Sequence, residues 1–228
     1  MSRAQLLAAG VGGETIDRAL RAGRLHRVHR GIYAAVAPEL LTEEGRLVAA
    51  LLAAGDRAVL SHGTAAWRWR IIPAPPSVIT LAVPGRRAVD GVRLHVGRNL
   101  RPGAITRNGR LATTSVARTL LGLATRYERR ALLRALAEAE FQHDLRPADV
   151  AGTLRRGHPG SANLRAALHG HAPADSDDDR DLWLRRHGYI ARRYGKRQID
   201  ERPENVITDL LHAFAEAVKL GYASGAAA

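Results

Sequence analysis

The 228-residue sequence predicts an α+β fold that begins with a short helix-turn-helix and a basic β-wing. Three observations carry this expectation. Apolar residues recur at helical spacing, as Ile16, Ala19 and Leu20 do within one short segment. Runs rich in Val and Ile interrupt the helical stretches, most clearly Val78-Ile79-Thr80-Leu81-Ala82-Val83. Gly10, Gly12 and Gly13 separate the first two helical stretches by only a few residues. Hydrophobic residues make up 46% of the chain, too many for a disordered polymer. A chain of this size buries roughly 70% of its unfolded surface, enough for a substantial core.

Each element has a local cause. Ser2-Arg3-Ala4-Gln5 reads as a capping box that opens a helix over Arg3–Ala9. A second helix runs from about Glu14 to Ala22 and ends at Gly23. Around it, Ile16, Ala19 and Leu20 fall on one side, with Glu14, Asp17, Arg18 and Arg21 opposite. The stretch Arg24–Tyr33 suits a strand bent at Gly31, the wing of a winged helix. Thr42, followed by Glu43 and Glu44, opens a helix to about Ala54. Ala58–Leu60 reads as a short buried strand, and Ser61 as the cap of the helix that contains Trp67. Val78–Pro84 and Val92–Val96 read as paired strands, and Thr113-Thr114-Ser115 as the cap of Val116–Ala124. Helical patterns continue over Arg126–His143, Pro147–Arg156 and Ser161–His169. Trp67 and Trp69 are two apart and read as core and boundary residues.

The net charge of +13 is unevenly spread. Residues 1–110 hold 17 Arg against 7 acids, whereas residues 111–228 hold 18 basic and 15 acidic groups. A compositional preference for Arg over Lys does not explain the shortage of acids in the first half. A lopsided basic field draws polyanions, phosphate backbones above all. Arg18, Arg21, Arg24, Arg27 and Arg30 recur every third residue through the second helix and the wing. Such a row can neutralise phosphates on both sides of a major groove. Glu14–Arg18 and Asp17–Arg21 are also i,i+4 pairs. The alternative is therefore a solvated face with surface salt bridges of ~0.3–0.5 kcal/mol each.

Four segments carry a resemblance: Arg3–Val11, Gly23–Tyr33, Val59-Leu60-Ser61-His62 with Ala65-Ala66, and Ala117-Arg118-Thr119-Leu120-Leu121. They resemble actinobacterial proteins with an AbiEi-type antitoxin domain, from type IV toxin–antitoxin (abortive infection) systems. The likeness extends from residue 1 to about 170, and the wing segment is its most specific part. It implies a winged-helix DNA-binding module at 1–38 and a mixed α/β domain at 39–172. It also implies two partners: duplex DNA, through repression of the antitoxin's own operon, and a nucleotidyltransferase-like toxin. Such proteins carry a further helix before the one beginning here at Ser2. The resemblance therefore implies a winged helix lacking its first helix, from a late start codon or an impaired module.

The segments Asp181–Tyr194 and Arg197-Gln198-Ile199, with Glu204, resemble the end of a very-short-patch-repair-endonuclease-like domain. That resemblance implies a restriction-endonuclease-like core, in which two or three carboxylates hold Mg²⁺ against the scissile phosphate. No Asp or Glu stands two residues before Lys196 or Lys219. Only the eight residues Ala172–Asp179 separate His171 from Arg180, too few for a helix and two strands. Residues 173–220 are thus expected to be a helix-strand-helix remnant without catalytic residues, and 221–228 a disordered tail. Asp175, Asp177, Asp178, Asp179 and Asp181 read as a linker and helix start rather than a metal cluster.

Other chemistry finds little support. The absence of Cys excludes a disulfide scaffold, a Cys-based zinc site and a thiol nucleophile, and fits the cytoplasm. No apolar run approaches the ~20 residues of a membrane span. His169 and His171 lack the i,i+4 spacing of helical metal ligands, and no phosphate loop is present. Ser61-His62 lacks a nucleophile elbow, and neighbours in sequence rarely form a dyad. The sequence predicts a DNA-binding, antitoxin-like regulator that is not an enzyme and needs no cofactor or metal. A Mg²⁺-dependent endonuclease and a toxin-binding module without DNA contact are the alternatives.

Overall fold

The computed structural model describes residues 1–97, 102–169 and 203–219, with Ile190, Arg192, Tyr194 and Ile199 as single positions between. Helix α1 (Arg3–Ala8) begins where Ser2 Oγ accepts the Gln5 N–H at 3.1 Å. The Gln5 side chain accepts the Ser2 N–H at 2.8 Å in return, completing the capping box. Gly10 takes φ +83° in the turn that leads to α2 (Gly13–Arg21). Strands β1 (His26–His29) and β2 (Ile32–Ala34) form an antiparallel hairpin, with a register break between Arg27 and His29. Gly31 turns that hairpin at φ +74°, a conformation that costs any residue with a Cβ. The first residues run beside β2: Ser2 bridges Ile32, and the Arg3 N–H donates to Gly31 O at 2.8 Å. Leu6, Ile16 and Tyr33 are buried together, with Val11, Leu20 and Leu25 packed around them.

Helix α3 (Glu43–Ala54) joins this unit to the rest of the chain, packing on β1, β2 and β4. Thr42 Oγ1 caps it by accepting the Gly45 N–H at 3.1 Å. A five-stranded sheet follows, in the order β5-β4-β3-β7-β6. Central β3 (Val59–Leu60) is antiparallel to β4 (Ile79–Val83) and parallel to β7 (Leu111–Thr114). Outside them, β4 pairs in parallel with β5 (Val92–Val96), and β7 antiparallel with β6 (Ile105–Asn108).

Two cores meet at α4 (His62–Arg68). On the sheet side Leu47, Leu60, Ala65, Leu81, Val83 and Leu111 are buried together. On the other side Ala66 and Ile71 join apolar residues of α5 (Val116–Leu123), α6 (Arg129–His143), α7 (Pro147–Ala151) and α8 (Ser161–His169). Trp69 packs against both, and its indole N–H donates to Thr114 O at 2.8 Å. Half-buried in this way, Trp69 stands at the boundary of the two cores, within the expectation for the Trp67–Trp69 pair. Helix α9 (Pro203–Lys219) is the last described element. Among the described residues, no helix is long and apolar enough to cross a membrane.

Several elements differ from expectation. Hairpin β6–β7 is a strand pair that the sequence reading leaves out, so Thr113 and Thr114 end a strand and only Ser115 caps α5. The expected helix 126–143 starts at Arg129, because Arg126 and Tyr127 still belong to the turn that closes α5. The helix expected over 147–156 stops at Ala151, with Gly152 as its cap. The acidic run Asp175–Asp181, most of the expected remnant and residues 221–228 lie outside the described residues.

Candidate nucleic-acid interface

The five arginines singled out by spacing all lie in one continuous segment, and all five are exposed. Arg18 and Arg21 stand on α2, away from buried Ile16. Three residues apart on a helix, they are separated by about 60° around its axis. Arg24 lies in the turn after α2. Arg27 sits within β1 opposite Tyr33, and Arg30 at the hairpin turn. Alternation along β1 leaves Arg27 exposed while His26 and Val28 are half-buried.

Charge pairing here differs from simple sequence spacing. Asp17 does not pair with Arg21, whose Nε donates instead to the Asp17 main-chain O at 3.4 Å. The Asp17 carboxylate takes Arg3 from α1, at 3.1 Å. Arg3 also donates to the Tyr33 hydroxyl at 3.4 Å, so one guanidinium ties α1, α2 and β2 together. These hydrogen bonds, that to Tyr33 foremost, raise the Arg3 pKa above its ordinary value. Among the described residues, no carboxylate lies within ion-pair distance of Arg18, Arg21, Arg24, Arg27 or Arg30. Asp17, one of the two acids on α2, is thus paired with Arg3. His29 in the hairpin is held below the ordinary imidazole pKa by burial, so near pH 7 it offers an N–H and no charge.

A second polar group escaped the sequence reading. Ser61, His62, His95, Arg118, Arg126 and His158 line one cleft between the sheet and the helices. Ser61 does precede α4, but its hydroxyl makes no capping hydrogen bond. It lies 3.0 Å from His62 Nδ1 instead, because His62 adopts φ +50° and folds back over its neighbour. The expectation that adjacent residues rarely meet in this way fails here. Ser61 is only 2% exposed, so this contact orients His62 and offers no accessible nucleophile. Among the described residues, no group of three His, Asp or Glu is placed to hold a metal ion.

Residues 2–36 match the protein family described as "Transcriptional regulator, AbiEi antitoxin". That span contains α1, α2, the hairpin and all five arginines. No curated protein matches the chain. Among solved structures, the chain is similar to the RV2827C protein from Mycobacterium tuberculosis, with a TM-score of 0.53 and 17% identity. The likeness covers 85% of this chain and 77% of that one, and it speaks to the fold alone. The amino-terminal segment is thus similar to AbiEi-antitoxin transcriptional regulators, within a mixed α/β chain.

Proposed function

We propose that this chain is an antitoxin-like transcriptional regulator that binds duplex DNA through a winged helix at residues 1–38. The observation that carries this reading is the run of five exposed arginines on a helix-turn-helix and its hairpin, none with a carboxylate partner among the described residues. In this reading α2 is the reading helix, and Arg18 and Arg21 face the major groove. Arg24, Arg27 and Arg30 hold phosphates along the wing. The family match over residues 2–36 supports the assignment, because it falls on the same elements.

The mixed domain from 39 to about 172 then carries the partner surface. A nucleotidyltransferase-like toxin is the partner, and the operon encoding both is the DNA target. Residues 173–220 contribute no strand cleavage, since the carboxylates that such chemistry needs are missing from the sequence pattern. Five neutralised phosphates set the expected salt response. Log K should fall with log salt at a slope of about −4.5 for five B-DNA contacts. A gel-shift series across salt concentrations measures that slope, and a value near zero defeats the proposal. Plasmid nicking in Mg²⁺ that vanishes in Asp179→Ala would defeat the non-catalytic assignment.

A further inference from the structure

The cleft between the sheet and α5 is a concentration of cationic and imidazole groups that DNA binding does not use. It is about 670 Å³ in volume, inside the ~300–1,000 Å³ range of small-molecule sites. His62 comes from α4 and His95 from β5, with their rings stacked at 4.1 Å and 23° apart. Arg118 comes from α5, Arg126 from the turn after it, and His158 from the loop before α8. Among the described residues, none that lines the cleft is Asp or Glu. Among the described residues, neither Arg118 nor Arg126 has a carboxylate within ion-pair distance.

The hydrogen-bond pattern specifies what is missing. The Gly160 N–H donates to His158 Nδ1 at 3.2 Å. Arg118 Nη1, which can only donate, lies 3.4 Å from His158 Nε2. A neutral imidazole has a single acceptor nitrogen, so two donors compete for it and one is left without an acceptor. Close by, the buried His95 Nε2 has no hydrogen-bond partner among the described residues. Burial of a cation without a counter-charge is costly, and here the half-buried Arg118 guanidinium sits among other cations. An anion with several acceptor oxygens removes both problems at once, and guanidinium groups bind phosphoryl oxygens especially well.

From the cleft's size, its unpaired donors and its lack of acids, we infer that it binds the phosphoryl group of a small molecule. Arg118 and His158 grip the oxygens, and Arg126 closes the mouth. The phosphoryl group is supplied by an inorganic oligophosphate or by a nucleotide. A compact recess, separate from the hairpin, distinguishes this site from a groove that tracks duplex backbone.

Calorimetric titration of the full chain with sodium pyrophosphate and, separately, with ADP tests the inference. Saturable binding of at least one is expected. A tighter constant for ADP identifies a nucleotide, and equal or tighter binding of pyrophosphate identifies the inorganic ion. Arg118→Gln and Arg126→Gln should each weaken binding at least tenfold. Arg126 is exposed, so its replacement leaves the core intact even if Arg118→Gln misfolds. Arg46→Gln with Arg57→Gln removes two exposed charges away from the cleft and should leave the constant unchanged. No saturable heat with either probe overturns the inference, and so does binding that survives both cleft variants. Displacement of the cleft's function to duplex DNA, seen as DNA affinity lost in Arg126→Gln with no small phosphate bound, overturns it as well. Because the DNA proposal is read from its own gel-shift salt series, each claim can fail while the other stands.

Discussion

Arg3 decides how the exposed arginines can act, although it is not one of them. By pairing with Asp17 across the helix pair, it offsets one of the two acids on α2, and neither Arg18 nor Arg21 has a carboxylate within ion-pair distance among the described residues. Sequence spacing pointed to i,i+4 pairing. The geometry chose a partner fourteen residues away, because Tyr33 and Asp17 converge on Arg3. Arg27→Ala and Arg30→Ala should therefore weaken binding to all duplexes alike, each lowering the salt slope by about 1. Gel shifts on two unrelated sequences check this, and a change of preferred site instead would reassign Arg27 and Arg30 to base reading. His62 gives a second prediction at this scale. Burial, then the charges of His95 and Arg118, push its pKa down to about 3. An unfolded chain protonates this residue near pH 6.5, whereas the folded chain does not. Its contribution to stability is whole above pH 6.5 and is lost as pH falls from there towards 3, at up to about 1.4 kcal/mol per pH unit. His95 and His158 shift in the same direction, again by burial first. Denaturant melts at pH 7 and pH 5 should show the loss, and His62→Gln should reduce the difference between them.

Among the elements, those with local causes were legible. Ser2, Thr42 and Ser115 each cap a helix with their own side chain, so the starts of α1, α3 and α5 could be read from a few neighbouring residues. The two short helices with their Gly-bearing turn, and the places of the five arginines along α2 and the hairpin, were legible for the same reason. Hairpin β6–β7 was not, because its first strand, Ile105-Thr106-Arg107-Asn108, exposes its middle two residues and shows no inside–outside alternation. Asn108-Gly109 was the available signal, a dipeptide suited to a tight hairpin turn, and Gly109 does take φ +62°. The cationic cleft was illegible in principle. Its residues run from Ser61 to Pro159 and come from α4, β5, α5 and the loop before α8, so only tertiary packing brings them together. Packing of α8 supplies a test. A Cβ on Gly160 would lie 2.5 Å from Leu121 O, a main-chain atom that cannot swing aside. Gly160→Ala should force α8 away from α5 and cost about 1–3 kcal/mol. Urea melts should show a lower midpoint with little change in slope.

For the molecule as a whole, α3 and Trp69 are the joints. Through α3 the arginine-bearing unit rests on the same sheet that forms one wall of the cleft. Through Trp69 the sheet core and the helical core share a side chain, and the main-chain carbonyl of the same residue accepts a hydrogen bond from His143 Nε2 at 2.6 Å. The strand at the centre of the sheet has a further consequence. β3 is two residues long, and its partner on one side, β7, is supplied more than fifty positions later. During synthesis, then, Val59 and Leu60 leave the ribosome well before their second neighbour exists. Until Thr113 arrives, that unfinished margin can recruit any passing strand. Chains stopped just before β6 should sediment as aggregates, and chains extended through α8 should stay in the supernatant.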